Sequence, residues 1–311
     1  MVGFKKVLKY APALVGLSNA AQLEQVTDFG ENPSGVRMFI YVPDSVQANP
    51  AIIVASHYCT GTAQAYYQGS QYATLADQHG FIVIYPESPY DGGCWDVSSD
   101  ATLTHNGGGD SNGIANMVAY TINKYQADAS RVFATGTSSG AMMTVSKDRP
   151  FIRHQIKRIA NSEQNVLAAT YPDVFKAGSV YAGVPAGCFY TGTVNGWNSE
   201  CSGGQVVQTP EEWAAEVRGM YPNYTGEYPR MAIYHGSNDE VLAPQNFEET
   251  IKQWAGVFGY NTEPDETVPN DPASPFTKTV YGEKLVGALG DGISHDLPRF
   301  ETRDLEWFGL V

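Results

Sequence analysis

The chain has 311 residues, 42% of them hydrophobic, 17% charged and 12% aromatic, with a formal net charge of −14. That apolar share is enough for a globular core and excludes a disordered or fibrous chain, and no run of 18 apolar residues is present to cross a membrane. The acidic balance argues against a nucleic-acid partner, which would need clustered Lys and Arg, whereas sparse charge with 32 Gly and 19 Tyr suits extracellular work on sugars. Taken in chain order, Lys5 and Lys6 open a mostly apolar stretch, 7–17, that ends at the small residues Ser18-Asn19-Ala20. This layout predicts a secretory signal peptide over residues 1–21, with a frayed helix as the alternative. β-rich apolar runs follow at 36–42, 51–56, 81–85, 131–135, 177–182, 231–234 and 277–281. Helical patterns fall between them, at 62–79, 112–126, 165–171, 210–219 and 244–258. Strands separated by helices predict an α/β fold with a mainly parallel central sheet covered by helices. No repeat stands out, and the Pro-rich stretch 264–275 reads as a surface loop, so residues 22–311 are expected to form a single domain.

Four cysteines suit an oxidising compartment and allow three pairings. Cys188 with Cys201 would close a short Gly/Asn-rich loop, and Cys59 with Cys94 would join two segments that each follow a strand; this is the favoured pairing. Asn223-Tyr224-Thr225 is a glycosylation sequon, whereas Asn32 is followed by proline.

In a parallel sheet, chemistry gathers where strands end at their carboxyl side. The run 131–135 leads into Gly136-Thr137-Ser138-Ser139-Gly140, a G-x-S-x-G motif with a helical stretch after it. That is the strand-turn-helix setting of a nucleophile elbow, in which glycines permit a turn too tight for larger side chains. Ser138 is therefore the candidate nucleophile. A serine hydroxyl needs a base, and the base an orienting carboxylate, in the chain order Ser, Asp or Glu, His. His154, His235 and His295 follow Ser138. His154 has no strand before it, and His235 reads as structural in a turn. His295 lies in a Gly-flanked loop able to swing an imidazole over the serine, and is the candidate base. Asp239, in the loop beyond the strand at 231–234, is the candidate acid; its rivals Asp291 and Asp296 lie too near His295 in sequence to approach it well. Oxyanion donors are expected from the amide of Ser139 and from that of Cys59, in the loop after 51–56, which a Cys59 disulfide would hold rigid. Asn106-Gly107-Gly108-Gly109-Asp110 lacks the Lys-Ser/Thr of a phosphate loop and reads instead as a loop with Asp110 as a helix N-cap. His79 and His105 read as polar loop residues. No His/Cys/Asp cluster has metal-ligand spacing, so neither metal nor cofactor is expected.

Several segments together carry a family resemblance. His57-Tyr58-Cys59-Thr60-Gly61, Gly93-Cys94-Trp95-Asp96, Thr104-His105-Asn106-Gly107-Gly108-Gly109-Asp110, residues 135–144 and Asp304-Leu305-Glu306-Trp307-Phe308-Gly309 resemble the fungal acetyl xylan esterases of carbohydrate esterase family one. The likeness runs from about Leu23 to Val311 apart from one interruption. It implies a secreted α/β-hydrolase that removes acetyl groups from acetylated xylan, with Ser138, Asp239 and His295 as its triad and Cys59 in its oxyanion hole. Trp197 matches a loop tryptophan near the site of those enzymes, a packing tryptophan being the alternative. Feruloyl esterases and polyhydroxybutyrate depolymerases share the scaffold, so a feruloyl esterase is the second reading, and a catalytically impaired carbohydrate-binding relative the third. The chain is expected to act as a monomer, without a carbohydrate-binding module, a nucleic-acid partner or a membrane.

The interruption is residues 145–164. It carries 5 of the 19 Lys and Arg in 20 residues, and Pro150 would break any helix running through it. Without residues 1–21 and 145–164 the chain has 11 basic and 31 acidic side chains, a formal charge of −20. Joining Thr144 to Asn165 gives a continuous apolar helix behind the elbow that resembles the family without a gap. Val145-Ser146 can be encoded by a GTRAGT splice donor, Ala160-Asn161 by a branch-point-like GCTAAC and Gln164 by an acceptor CAG; the twenty codons make 60 nucleotides. The segment is therefore expected to be a translated, retained intron that weakens the support of Ser138, with a genuine surface loop as the alternative.

Overall fold

Ile52, Ile53, Val54, Ala55 and Ser56 are all buried, the mark of a strand covered on both faces. The computed structural model describes residues 21–144 and 166–311, and this strand lies near the middle of its sheet. In chain order the elements are β1 (Glu24–Val26), β2 (Arg37–Tyr41), β3 (Ile52–Ser56), α1 (Ala63–Gly69), α2 (Tyr72–His79), β4 (Ile82–Glu87), α3 (Asp110–Tyr125), β5 (Val132–Thr137), α4 (Ser139–Met143) and α5 (Leu167–Thr170). They continue with β6 (Ala177–Tyr181), α6 (Ser199–Ser202), α7 (Pro210–Arg218), β7 (Arg230–Gly236), α8 (Gln245–Phe258), β8 (Glu266–Pro269), β9 (Phe276–Tyr281), β10 (Leu285–Gly290) and α9 (Glu301–Phe308).

The sheet order is β1-β2-β4-β3-β5-β6-β7-β10-β9-β8. From β4 to β10 the pairs are parallel, while β1, β2, β8 and β9 join antiparallel at the two edges. Alternate side chains divide between the faces: Ile52, Val54, Val132 and Ala134 pack with α3, Met142 and Met143, while Ile53, Ala55 and Phe133 pack with α1, α2 and α9. Local signals place the helices where they lie. At α7, Thr209 and Glu212 form a capping box ahead of Pro210 in the first turn.

Every expected strand is present, and three more are added: β1, β8 and β10. β8 lies in the stretch read as a surface loop, and β10 hides behind Gly287 and Gly290, positions where Phe247, Ile251 and Phe276 crowd the backbone. The helix expected over 62–79 is two helices, because Ser70 after α1 is extended (φ −125°, ψ 161°). His79 ends α2 and is not a loop residue. Asp110 is not the N-cap of α3: Gly109 occupies that position, and the buried Asp110 carboxylate accepts the Asp96 amide (3.0 Å) and the Tyr90 hydroxyl (3.0 Å).

Register positions the site. Ser56 lies beside Gly136 and Gly236 beside Gly290, so the loops after β3 and β5 are neighbours, as are those after β7 and β10. On the α9 side, Asp304 is fully buried and accepts from Ser179, Tyr72 and Tyr181 (2.8 Å for the last). Tyr72 in turn contacts Thr135 (3.1 Å), so this one carboxyl joins α2, α9, β5 and β6. Burial pushes Asp304 up to about 7, although the three hydroxyls favour its charged form. Since an unfolded aspartate titrates near ~3.9, the native state holds an extra proton between the two values, and this group's contribution to stability declines as pH rises from about 4 to about 7.

The signal-peptide expectation over 1–21 falls almost wholly outside the described residues, as do residues 145–164 and His154. The described flanks of the latter segment are informative. The Val166 amide donates to the Met142 carbonyl (2.8 Å) and the Ala168 amide to that of Thr144, an offset of 24 in sequence. Taking out twenty residues makes that offset four, which is the α-helical bond. Met142, Met143, Thr144 and residues 166–170 are all buried.

Two outcomes are expected. Between pH 4.5 and pH 7.5 the thermal unfolding temperature of Asp304→Asn should change less steeply than that of the parent chain; an equal fall in both would show that Asp304 does not set the slope. A chain lacking 145–164 should unfold no lower than the full chain and hydrolyse an aryl acetate at least as fast, and mature transcripts should be found without the 60 nucleotides. A less stable and less active deletion form would show that the segment supports the helix.

Candidate active site

The turn between β5 and α4 is the tightest feature of the site. Ser138 has φ 56° and ψ −120°, a backbone region that costs a non-glycine residue on the order of 1–3 kcal/mol. A Cβ on Gly140 would meet the Ser56 carbonyl oxygen at 2.2 Å, and one on Gly136 would meet that of Gly140 at 2.2 Å. Both glycines are thus required by close backbone approach. The turn is held by the Ser138 amide donating to the Tyr181 carbonyl (2.9 Å) and by a contact between Tyr66 and Thr137 hydroxyls (3.0 Å).

Ser138 Oγ lies 2.9 Å from His295 Nε2, and His295 Nδ1 lies 2.7 Å from Asp239 Oδ2. With Asp239 ionised, Nδ1 carries the proton and donates to it, leaving Nε2 to accept from the serine hydroxyl. Asp239 Oδ1 accepts the amides of Val241 (2.9 Å) and Leu242 (2.8 Å). Burial favours its neutral acid, yet the hydrogen bonds from His235, His295 and the Leu242 amide hold the carboxyl well below the usual range. His235 is fully buried, with Nε2 3.0 Å from the Leu242 carbonyl and 3.2 Å from Asp239 Oδ2, so it sits behind the acid and away from the serine. Asp291 contacts Ser237 (3.4 Å), and Asp296 lines the cleft, whereas His295 Nδ1 is taken by Asp239.

The loop carrying His295, expected to be flexible, is anchored through its backbone. The Asn238 amide donates to the Ile293 carbonyl (2.9 Å) and the Ser237 amide to that of Gly290 (2.9 Å). A Cβ on Gly236 would meet the Ile293 carbonyl oxygen at 2.2 Å, so the acid loop and the base loop pack backbone to backbone.

On the other side of Ser138, Cys59 is bridged to Cys94, and Cys188 to Cys201. The amides of Thr60 and Gly61 donate to Gly92 (2.6 Å) and Tyr58 (3.0 Å), whereas among the described residues neither the Cys59 nor the Ser139 amide has an acceptor. Both residues line the cleft, so their unengaged amides are candidate donors to an oxyanion there. The ring of His57 went unassigned at the sequence level. It is buried, its Nδ1 donating to the Tyr58 carbonyl (2.7 Å) and its Nε2 accepting the Ser88 amide (3.1 Å), which clamps the end of β3 to the end of β4. Burial pushes its pKa down and keeps it neutral. Its place directly after β3 was the available signal.

The cleft has a volume of about 740 Å³, with Ser138 and His295 in its lining and Trp197 and Tyr58 on its rim. Trp197 is 55% exposed, its ring edge-on to Phe189 at 5.0 Å. Asn223 of the sequon is exposed, and His105 stacks on Tyr221 at 3.7 Å. Among the described residues no group of three or more His, Cys, Asp or Glu is placed to hold a metal ion, and no helix is long and apolar enough to cross a membrane.

Residues 37–149 match the family model described as Esterase PHB depolymerase. Acetylxylan esterase A of Aspergillus oryzae is 57% identical over 298 residues, covering 95% of this chain and 91% of that protein. Acetylxylan esterase A of Emericella nidulans is 58% identical over 293 residues, 93% of this chain and 90% of that one. The solved structure of an acetyl xylan esterase from Aspergillus awamori superposes with a TM-score of 0.86 at 55% identity, covering 93% of this chain and all of its own.

Replacing Ser138 by Ala is expected to lower ester turnover on the order of a million-fold, the scale of triad removal in a serine protease, with the unfolding temperature nearly unchanged. A variant retaining a tenth of the parent's activity would exclude Ser138 as the nucleophile.

Proposed function

The chain belongs to the fungal acetylxylan esterase family, and from that premise we propose that it removes acetyl groups from acetylated xylan by acyl transfer through Ser138. It is a carboxylic ester hydrolase. The observation that carries the reading is the unbroken Ser138–His295–Asp239 contact chain at a cleft with an exposed tryptophan on its rim.

The steps follow from the geometry. Ser138 Oγ attacks the ester carbonyl carbon while its proton passes to His295 Nε2, and the carbonyl oxygen takes up the electron pair facing the amides of Cys59 and Ser139. Collapse breaks the bond to the sugar oxygen, which leaves with the proton from His295. Water then attacks the acetyl-enzyme with the same base, releasing acetate and restoring the serine. Asp239, kept ionised by its donors, holds the Nδ1–H tautomer and stabilises the imidazolium. The protein needs no cofactor for these steps. Trp197 offers a flat apolar face on which a xylose ring can rest while its acetyl group reaches Ser138.

The same reading includes secretion by a signal peptide over 1–21, glycosylation at Asn223, action as a monomer, and an esterase domain over 22–311 in which 145–164 is an intron-derived insertion. The helical register across that insertion supports the last point.

Acetate release from acetylated xylan is expected to exceed ferulate release from methyl ferulate by well over about tenfold, the range a pocket achieves by size discrimination. Equal or reversed rates would assign a feruloyl esterase instead.

A further inference from the structure

Residues 94–98 reach both banks of the cleft. On one bank, Cys94 is bridged to Cys59, and Trp95 Nε1 donates to the His57 carbonyl (2.7 Å). On the other, Asp96 Oδ1 accepts the Asn195 amide (3.0 Å), and Ser98 Oγ accepts the Gly196 amide (2.6 Å) and donates to the Thr193 carbonyl (2.9 Å). The Ser98 carbonyl accepts the amides of Thr191 and Gly192, each at 3.1 Å. The backbone of the 191–196 loop is thereby tied to two residues, and Trp197 follows it directly.

Asp96 is built for holding. It is 1% exposed, and its carboxylate also accepts the amides of Ser98 and Ser99 (3.1 Å each), the Ser99 hydroxyl and the Thr102 hydroxyl (3.0 Å). A buried carboxylate is tolerated only when its acceptors are filled, and here one of the donors is an amide of the loop that carries Trp197. The Trp197 side chain, by contrast, is more than half exposed, with its ring contact on Phe189. Its position relative to Ser138 therefore depends on the backbone before it.

We propose that Asp96 and Ser98 are positioning residues for the polysaccharide substrate: they fix the separation between the Cys59 amide and the Trp197 ring, so that a sugar resting on the ring presents its ester to Ser138. The proposal rests on the reading of Trp197 as a sugar platform. An aromatic face held in place before the substrate arrives loses little ordering entropy on binding, whereas a loose loop forfeits part of the affinity.

The test compares kcat and KM on acetylated xylo-oligosaccharide and on para-nitrophenyl acetate for Trp197→Ala, Ser98→Ala, Asp96→Asn and the Ser98→Ala/Trp197→Ala double variant. Ser98→Ala is expected to reduce kcat/KM on the oligosaccharide about fivefold more than on the aryl ester, the loss lying in KM, as for removal of a uniform binding contact. In the double variant the Ser98 change should add nothing to the loss from Trp197→Ala, because residues acting through one contact are non-additive. Asp96→Asn should act in the same direction and more strongly; if it does not fold, the Ser98 pair carries the test. Equal losses on both esters, additive losses in the double variant, or an unchanged oligosaccharide KM in Ser98→Ala would each overturn the proposal. An oligosaccharide KM unmoved by Trp197→Ala would remove the platform and the proposal with it, while leaving acyl transfer at Ser138, which the aryl ester reads separately, in place.

Discussion

The backbone of Ser138, bent at φ 56° and ψ −120° between a buried strand and a buried helix, is the constraint on which the rest of the site depends. The bend sets Ser138 Oγ, at the start of α4, 2.9 Å from His295 Nε2. It persists because the surroundings over-determine it. Gly140 touches the backbone at the end of β3, the Ser138 amide is anchored on β6, and the buried residues 142–144 and 166–170 fill the space behind. The described flanks of 145–164 lie behind that turn, and their backbone bonds keep an α-helical register from residues 142–144 to 166–168.

Around that turn, the loops are held by backbone packing and by buried side chains other than Ser138, Asp239 and His295. The acid and base loops pack through Gly236 and Ile293. The loop after β3 is held by the Cys59–Cys94 bridge and the His57 ring, and the Trp197 loop by Asp96 and Ser98. Preorganisation of this kind matters because donors fixed before the reaction need no rearrangement as charge develops.

Three buried aspartates show how environment assigns roles to one residue type. Asp239 receives two amides and two histidine rings and stays ionised. Asp304 receives only hydroxyls in a fully buried pocket and is raised to about 7. Asp110 is raised to about 7 as well, by burial and by its neighbour Asp96. At Asp304 and Asp110 burial outweighs the hydrogen bonds, with a nearby carboxylate adding to it at Asp110, whereas at Asp239 the donors outweigh burial. The Asp239 carboxyl beside His295 is thus kept charged, while Asp304 ties its neighbouring elements together.

Much of this protein is legible in its sequence. The alternation of apolar runs and helical patterns, the glycine-flanked Ser138, the order Ser138, Asp239, His295 and the two cysteine pairs all follow from local periodicity, turn chemistry and chain order, which are properties of neighbouring residues. What escaped that reading is equally specific. β10 was missed because Gly287 and Gly290 read as loop residues until Phe247, Ile251 and Phe276 pack on them, and β8 because Pro269 and an exposed pattern mask an edge strand. The role of Asp110 was misjudged because its partners, the Asp96 amide and Tyr90, lie outside its own helix. The His295 loop read as mobile because its anchors on residues 236–238 are more than fifty positions away. In each case the deciding contact joins residues distant in sequence. Sheet order, register and loop anchoring are set by which surfaces can pack together, and no local pattern specifies that.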